Sequence, residues 1–196
     1  MRRSDIKILK GNSVYRIHDL LNFPDDYFTV KELLSDSKFK DSIMKEYFKT
    51  PHDKFDLEVL YKIIIERSKR LELFDNNHVL VHVRTGDETI VRGLDNQGNV
   101  DFYLNEINKY DSSKTIVIVT AMHFPGRAWS IEKEEHNFKL LEDFIDKIDR
   151  DVLIYSNEDV DIDLIQLSLA ENLIATPKAG GFARVVIELN KIHNGR

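Results

Sequence analysis

The chain has no cysteine. Disulfides and thiolate metal centres are therefore excluded, which fits a reducing compartment. Basic residues never occur more than two in a row, and the net charge is −6. Such a balance is poorly suited to the phosphate backbone of nucleic acid. No apolar stretch approaches the ~20 residues of a membrane span, and the N-terminus lacks the pattern of a signal peptide. No Asn-x-Ser/Thr sequon occurs either. These absences lead to the expectation of a cytoplasmic protein with no membrane span and no nucleic-acid partner.

What is present is enough for a packed core. Of 196 residues, 42% are hydrophobic and 32% charged, so the chain is not compositionally disordered, and its length fits one domain or one plus an appended segment. Four short apolar runs, at 79–83, 115–120, 152–155 and 173–175, are β-branched-rich, as strands buried on both faces are. Helical periodicity lies between and around them. It covers 101–110, 137–148 (with Phe138, Leu141, Phe144, Ile145 and Ile148 on one stripe), 161–171 and 184–192. A further helix over 56–73 leads into the first run. Alternating strands and helices predict βαβ units and a parallel sheet. The fold class expected is α/β, a Rossmann-like parallel sheet over 53–196, preceded by an irregular, helical segment over 1–52. Asn96-Gln97-Gly98-Asn99 reads as a surface turn, and the segment from His123 to Trp129 as a loop after a strand end.

The stretch richest in chemistry is Val79-Leu80-Val81-His82-Val83-Arg84-Thr85-Gly86-Asp87-Glu88. A buried strand should read as continuous apolar residues, so the polar pair near its end needs a reason. Alternation puts His82 and Arg84 on one face and Val81 and Val83 on the other. Ligands of open α/β sheets sit beyond the carboxyl ends of the strands, where an arginine presents a planar fork matched to a phosphate. A surface arginine closing a strand, and a histidine that is only a core residue, are the bland alternatives.

This run resembles the His-x-Arg-x-Gly-Asp signature of the GDP-fucose-dependent fucosyltransferases, which have the two-Rossmann-domain architecture called GT-B. A second block is similar to the family's late motif. It runs from Asp163 through Leu167-Ser168-Leu169-Ala170 and an apolar strand to Gly180-Gly181-Phe182-Ala183-Arg184. The resemblance covers roughly 75–192, the donor-binding half, and implies no cofactor and no metal. It implies Arg84 on the β-phosphate of the donor and His82 near the nucleotide. Asp163 would accept the adjacent N1–H and N2–H donors of guanine, Asp161 being the match if the register slips. Lys178, Gly180, Gly181 and Phe182 form a strand-to-helix turn whose backbone N–H groups suit phosphate oxygens. Glu88 and Asp87 are the candidates for the base that takes the acceptor proton. The chain departs from the commoner family pattern at Thr85, where many members carry a second arginine.

Each of these has a plainer role. Asp163 could cap a helix, Asp87 could bind its own turn, and 178–182 could be an ordinary βα connection. Asp161-Ile162-Asp163 also spells the Asp-x-Asp of metal-dependent transferases, although it opens a helix. Ser156-Asn157-Glu158-Asp159 resembles a family segment and equally an acidic loop. The histidines at 78, 123 and 136 lack metal-site spacing.

The expected function is inverting transfer of fucose from GDP-fucose to a glycan hydroxyl. Alternatives are a non-catalytic nucleotide-sugar or glycan-binding module, or a transferase using another nucleotide-sugar. Because 1–75 are too few for a second Rossmann domain, either the acceptor half is minimal, or a homo-oligomer or partner subunit supplies it. No Gly-x-Gly-x-x-Gly follows the first strand, which argues against a dinucleotide oxidoreductase.

Overall fold

The computed structural model describes residues 1–10, 41–50, 56–86, 100–124, 129–176, 178 and 180–195. In chain order these form a 3₁₀ turn (Arg3–Asp5), β1 (Ile8–Lys10), α1 (Ile43–Lys49), α2 (Leu57–Ser68), β2 (His78–His82), β3 (Thr85–Gly86), α3 (Val100–Ile107), β4 (Thr115–Val119), β5 (Met122–Phe124), α4 (Ile131–Ile145), β6 (Val152–Tyr155), α5 (Val160–Ser168), β7 (Leu173–Ile174) and α6 (Gly181–His193). The architecture is Rossmann-like α/β, with every strand pair parallel. Among the described residues no helix is long and apolar enough to cross a membrane.

The main sheet has the order β6-β4-β2-β7 and a second ladder the order β1-β5-β3. The two are one surface. His82 faces Val119 in the first, and Thr85 faces Met122 in the second. The register is therefore unbroken across the gaps at 83–84 and 120–121, so β3 prolongs β2 and β5 prolongs β4. β1 lies on the far side of β5 and runs on from the end of β6, where Lys7 N–H donates to Ser156 Oγ at 2.9 Å.

Strand alternation divides the core into two layers. Leu80, Val117 and Val119 pack with α1, α2, α5 and α6. Val79, Val81, Val83, Ile116 and Ile118 pack with α3 and α4. This is why the strands read as continuous apolar runs. Four helices begin at side-chain caps: Ser42, Asp56, Ser130 and Asp159 accept N–H groups of α1, α2, α4 and α5. α6 begins at Gly180 with no side-chain cap.

The segment 1–52 was expected to be helical. It contributes α1, but also β1, a strand whose three residues carry too little pattern to announce themselves. Residues 11–40 and the expected boundary at 52/53 lie outside the described residues. So does the turn expected at 96–99. His123 was expected in a loop and instead sits in β5, paired with both Leu9 and Gly86.

Gly86 is the tightest point of the sheet. Its φ is +111°, and a Cβ there would overlap the carbonyl oxygen of His123. Left-handed strain adds to a clash with backbone that cannot step aside. Gly86→Ala is expected to cost at least ~3 kcal/mol of stability, measured as the shift in urea denaturation. A loss under 1 kcal/mol would mean that the β3–β5 approach is looser than described.

Candidate functional site

Strand order decides where a ligand can enter. The chain leaves β2 for α3, in one layer, and leaves the neighbouring β7 for α6, in the other. The connections part there, opening the crevice in which doubly wound sheets bind ligands. A second reversal lies between β4 and β6, and there β1 continues the sheet past the strand ends.

The β2–β7 crevice gathers most of the residues singled out by sequence. Arg84 follows β2, and its guanidinium rests on Gly180: a Cβ at residue 180 would lie 2.5 Å from Arg84 Nη1. Gly180 holds φ +103° and starts α6. The helix thus presents its first-turn N–H groups, at Gly181 and Phe182, with no side chain capping them and no acidic residue in that turn. Uncapped N–H groups and the positive end of the dipole favour an anion. The Phe182 ring lies 5.3 Å from the His82 ring. Lys178 belongs to the same connection, its backbone N–H bonded to Thr176 Oγ1 at 3.3 Å and its side chain exposed.

His82 is buried, and burial, aided by the charge of Arg84, lowers its pKa to about 4. The ring is neutral at neutral pH. Among the described residues its Nδ1 has no hydrogen-bond partner, unlike that of a satisfied core histidine. An unpaired buried nitrogen costs about 1–3 kcal/mol. Thr85, the position at which the sequence resemblance would expect a second arginine, is buried, and its Oγ1 lies 3.0 Å from that of Thr120. The side chain points into the protein, so an arginine at 85 would be buried away from the Arg84 face.

Asp163 is not a helix cap. That role belongs to Asp159, which accepts Asp161 N–H at 2.9 Å. Asp163 is buried near the start of α5, beyond the end of β6, and accepts Asn157 Nδ2–H at 2.9 Å through Oδ1. Among the described residues Oδ2 has no partner. Burial raises its pKa to about 7, the Asn157 bond opposing and Asp159 adding to the rise. Asp161 faces elsewhere. Its Oδ2 accepts Ile43 N–H at 2.7 Å and lies 3.6 Å from Arg67 Nη1, joining α5 to α1 and α2. Two residues apart on a helix, the carboxylates diverge, so the Asp-x-Asp does not form a chelating pair.

The structure thus brings together His82, Arg84, Gly180, Gly181 and Phe182, with Lys178 on the same connection. Asp163 stands at another point of the carboxyl edge, with β4 and β2 between β6 and β7. Asp87 and Glu88 lie outside the described residues. One asparagine went unnoticed in the sequence, Asn137, fully buried in α4 and bonded to Gly86, while Asn157, named there only within its acidic segment, orients Asp163. Asn137 breaks an otherwise apolar stripe beside Phe138, and that was its one signal.

No protein-family model, curated protein or solved structure matches the chain.

The raised pKa of Asp163 has a consequence for stability. The folded state holds this proton up to about pH 7, whereas the unfolded chain releases it near 3.8. Stability from this group is full below 3.8 and is lost as pH rises through about 7. Asp163→Asn keeps an acceptor for Asn157 and does not titrate. The variant is expected to melt higher than the parent at pH 8, with the advantage shrinking towards pH 4. A pH-independent difference between the two melting curves would contradict the desolvated carboxyl.

Proposed function

We propose that this chain binds a GDP-sugar at the carboxyl edge of its sheet. It acts there as an inverting, metal-independent glycosyltransferase, transferring fucose to a glycan hydroxyl with a donor domain of GT-B type. The observation that carries this reading is the Arg84 guanidinium resting on Gly180, beside the uncapped start of α6, at the β2–β7 crevice. An arginine, able to bond a phosphate through two N–H groups, and the first backbone N–H groups of α6 meet there, which suits a diphosphate. Phe182 and neutral His82 line the same place.

Chemically, the acceptor oxygen attacks the anomeric carbon as the bond to the diphosphate breaks. The acceptor proton passes to a carboxylate, for which Glu88 and Asp87 are the proposed bases. Negative charge collects on the departing β-phosphate, where Arg84 and the α6 N–H groups stabilise it. Asp163, with Oδ1 held by Asn157, leaves Oδ2 for the guanine edge. Because the Asp-x-Asp carboxylates diverge, the chemistry is assigned to Arg84 rather than to a cation held by Asp161 and Asp163.

A second reading is a binding module without transfer. It would need only Arg84, Gly180 and Asp163 as binding groups and no base, and the two proposed bases, Asp87 and Glu88, lie outside the described residues. In the transferase reading, the acceptor side comes from a minimal acceptor half, a second copy or a partner subunit.

GDP is expected to raise the melting temperature more than UDP, ADP or CMP, and Asp163→Ala is expected to remove that preference. A carboxylate pairing two N–H donors is worth roughly 1.5–3 kcal/mol, so GDP affinity should fall about tenfold or more. Equal stabilisation by UDP and GDP in the parent would end the guanine assignment. Loss of preference in Asp161→Ala alone would move it to that residue.

Arg84 separates transfer from mere binding. Its contact strengthens as charge builds on the leaving group, so Arg84→Ala should lower kcat by about 10²–10³. GDP binding should weaken only about tenfold. Arg84→Lys should recover little, since an ammonium cannot make two parallel bonds. A normal transfer rate in folded Arg84→Ala protein would sink the transferase reading. Tight GDP binding with no measurable transfer by the parent would establish the binding module.

A further inference from the structure

Asn137, in α4, is a polar side chain with 0% exposure that lies outside the site just described. Its Oδ1 accepts Gly86 N–H at 2.8 Å, and its Nδ2 donates to the Gly86 carbonyl at 3.2 Å. The second Nδ2 hydrogen goes to the carbonyl of Lys133, 2.9 Å away in its own helix. The amide therefore makes with Gly86 the pair of bonds that a neighbouring peptide would make. A Ser or Thr hydroxyl donates and accepts through a single atom, and Gln is one methylene longer. Asparagine is thus the side chain that offers a separate donor and acceptor at this reach.

The clamp sits next to the arginine. Gly86 is pressed against His123 of β5, and Thr85 is bonded to Thr120. Arg84 occupies the gap between β2 and this pinned pair. Its backbone is thereby fixed from both directions: by His82 in the ladder and by residues 85–86 through Asn137. An apolar residue in α4 would leave the buried Gly86 N–H and carbonyl without this partner, so the amide stabilises β3 as well as placing it.

We propose that Asn137 is a positioning residue for the diphosphate site, setting through Gly86 where the Arg84 guanidinium lies over Gly180. This rests on the nucleotide-sugar reading above. Asn137 itself touches no ligand. Its effect is on the geometry of the group that does, where small displacements weaken aligned contacts.

The test is GDP binding by titration calorimetry at pH 8, well below the melting temperature of every variant. Asn137→Ala is expected to weaken GDP about fivefold, no more than Arg84→Ala does, and to add nothing in the Arg84→Ala background. Leu141→Ala, fully buried in the same helix, is expected to lower the melting temperature and leave GDP affinity within about twofold of the parent. If Asn137→Ala does not fold, Asn137→Asp takes its place. It keeps the size and the acceptor but loses both donors, and the same pattern is expected. Unchanged GDP affinity in the folded variant would overturn the proposal, as would a loss fully additive with that of Arg84→Ala or an equal loss in Leu141→Ala. A parent that binds no GDP would overturn the nucleotide-sugar reading and this inference together. Parent binding with any of the other contrary results removes only the role of Asn137.

Discussion

The contact between Arg84 and Gly180 is the constraint around which the site is arranged. It joins the end of β2 to the start of α6, two elements far apart in sequence that are brought together by the insertion of β7 beside β2. The contact exists only because residue 180 has no side chain. The same glycine supplies a backbone angle that lets the helix begin without a capping residue. One missing methyl group thus leaves room for the guanidinium and exposes the helix N–H groups in the same place.

Polar groups elsewhere are held to a stricter standard. Gly86 is paired by Asn137, Thr85 by Thr120, and Asp161 Oδ2 by the first turn of α1. Against that background the exceptions stand out. Among the described residues His82 Nδ1, Asp161 Oδ1 and Ser168 Oγ are buried without partners, and Asp163 uses one oxygen of two. Unsatisfied buried groups cost free energy in the empty protein. His82 and Asp163 both belong to the carboxyl edge, while Asp161 lies at the junction of α1, α2 and α5.

Much of the framework was legible because burial on both faces writes itself directly into composition. The run 152–155 is β6 to the residue, and the other three long runs missed their strands by one or two residues. β1 and β5 were not legible. Each has three residues, too few for the alternation of Met122-His123-Phe124 to mark a strand, and its strand character comes from pairing with β1 and β3. Strand order was beyond reach as well, since nothing local records that β7 lies beside β2. His82 and Arg84 could be placed on one face by alternation alone. The meeting of Arg84 with Gly180 could not. Asn137 was hidden because an asparagine in an amphipathic helix ordinarily belongs to its wet side.

The order in which these contacts become available follows from the chain's own direction. β1 comes first, yet its partner β5 follows only after α1, α2, β2, α3 and β4. Ile43 finds Asp161 across 118 positions, and Lys7 finds Ser156 across 149. Chain made from its N-terminus must therefore leave β1 waiting until β5 exists, while α1 can pack on α2 and β2 can pair with β4 early. Contacts of such span are slow to close. During synthesis β1 is a client of the rest, its ladder groups held in water until β5 arrives.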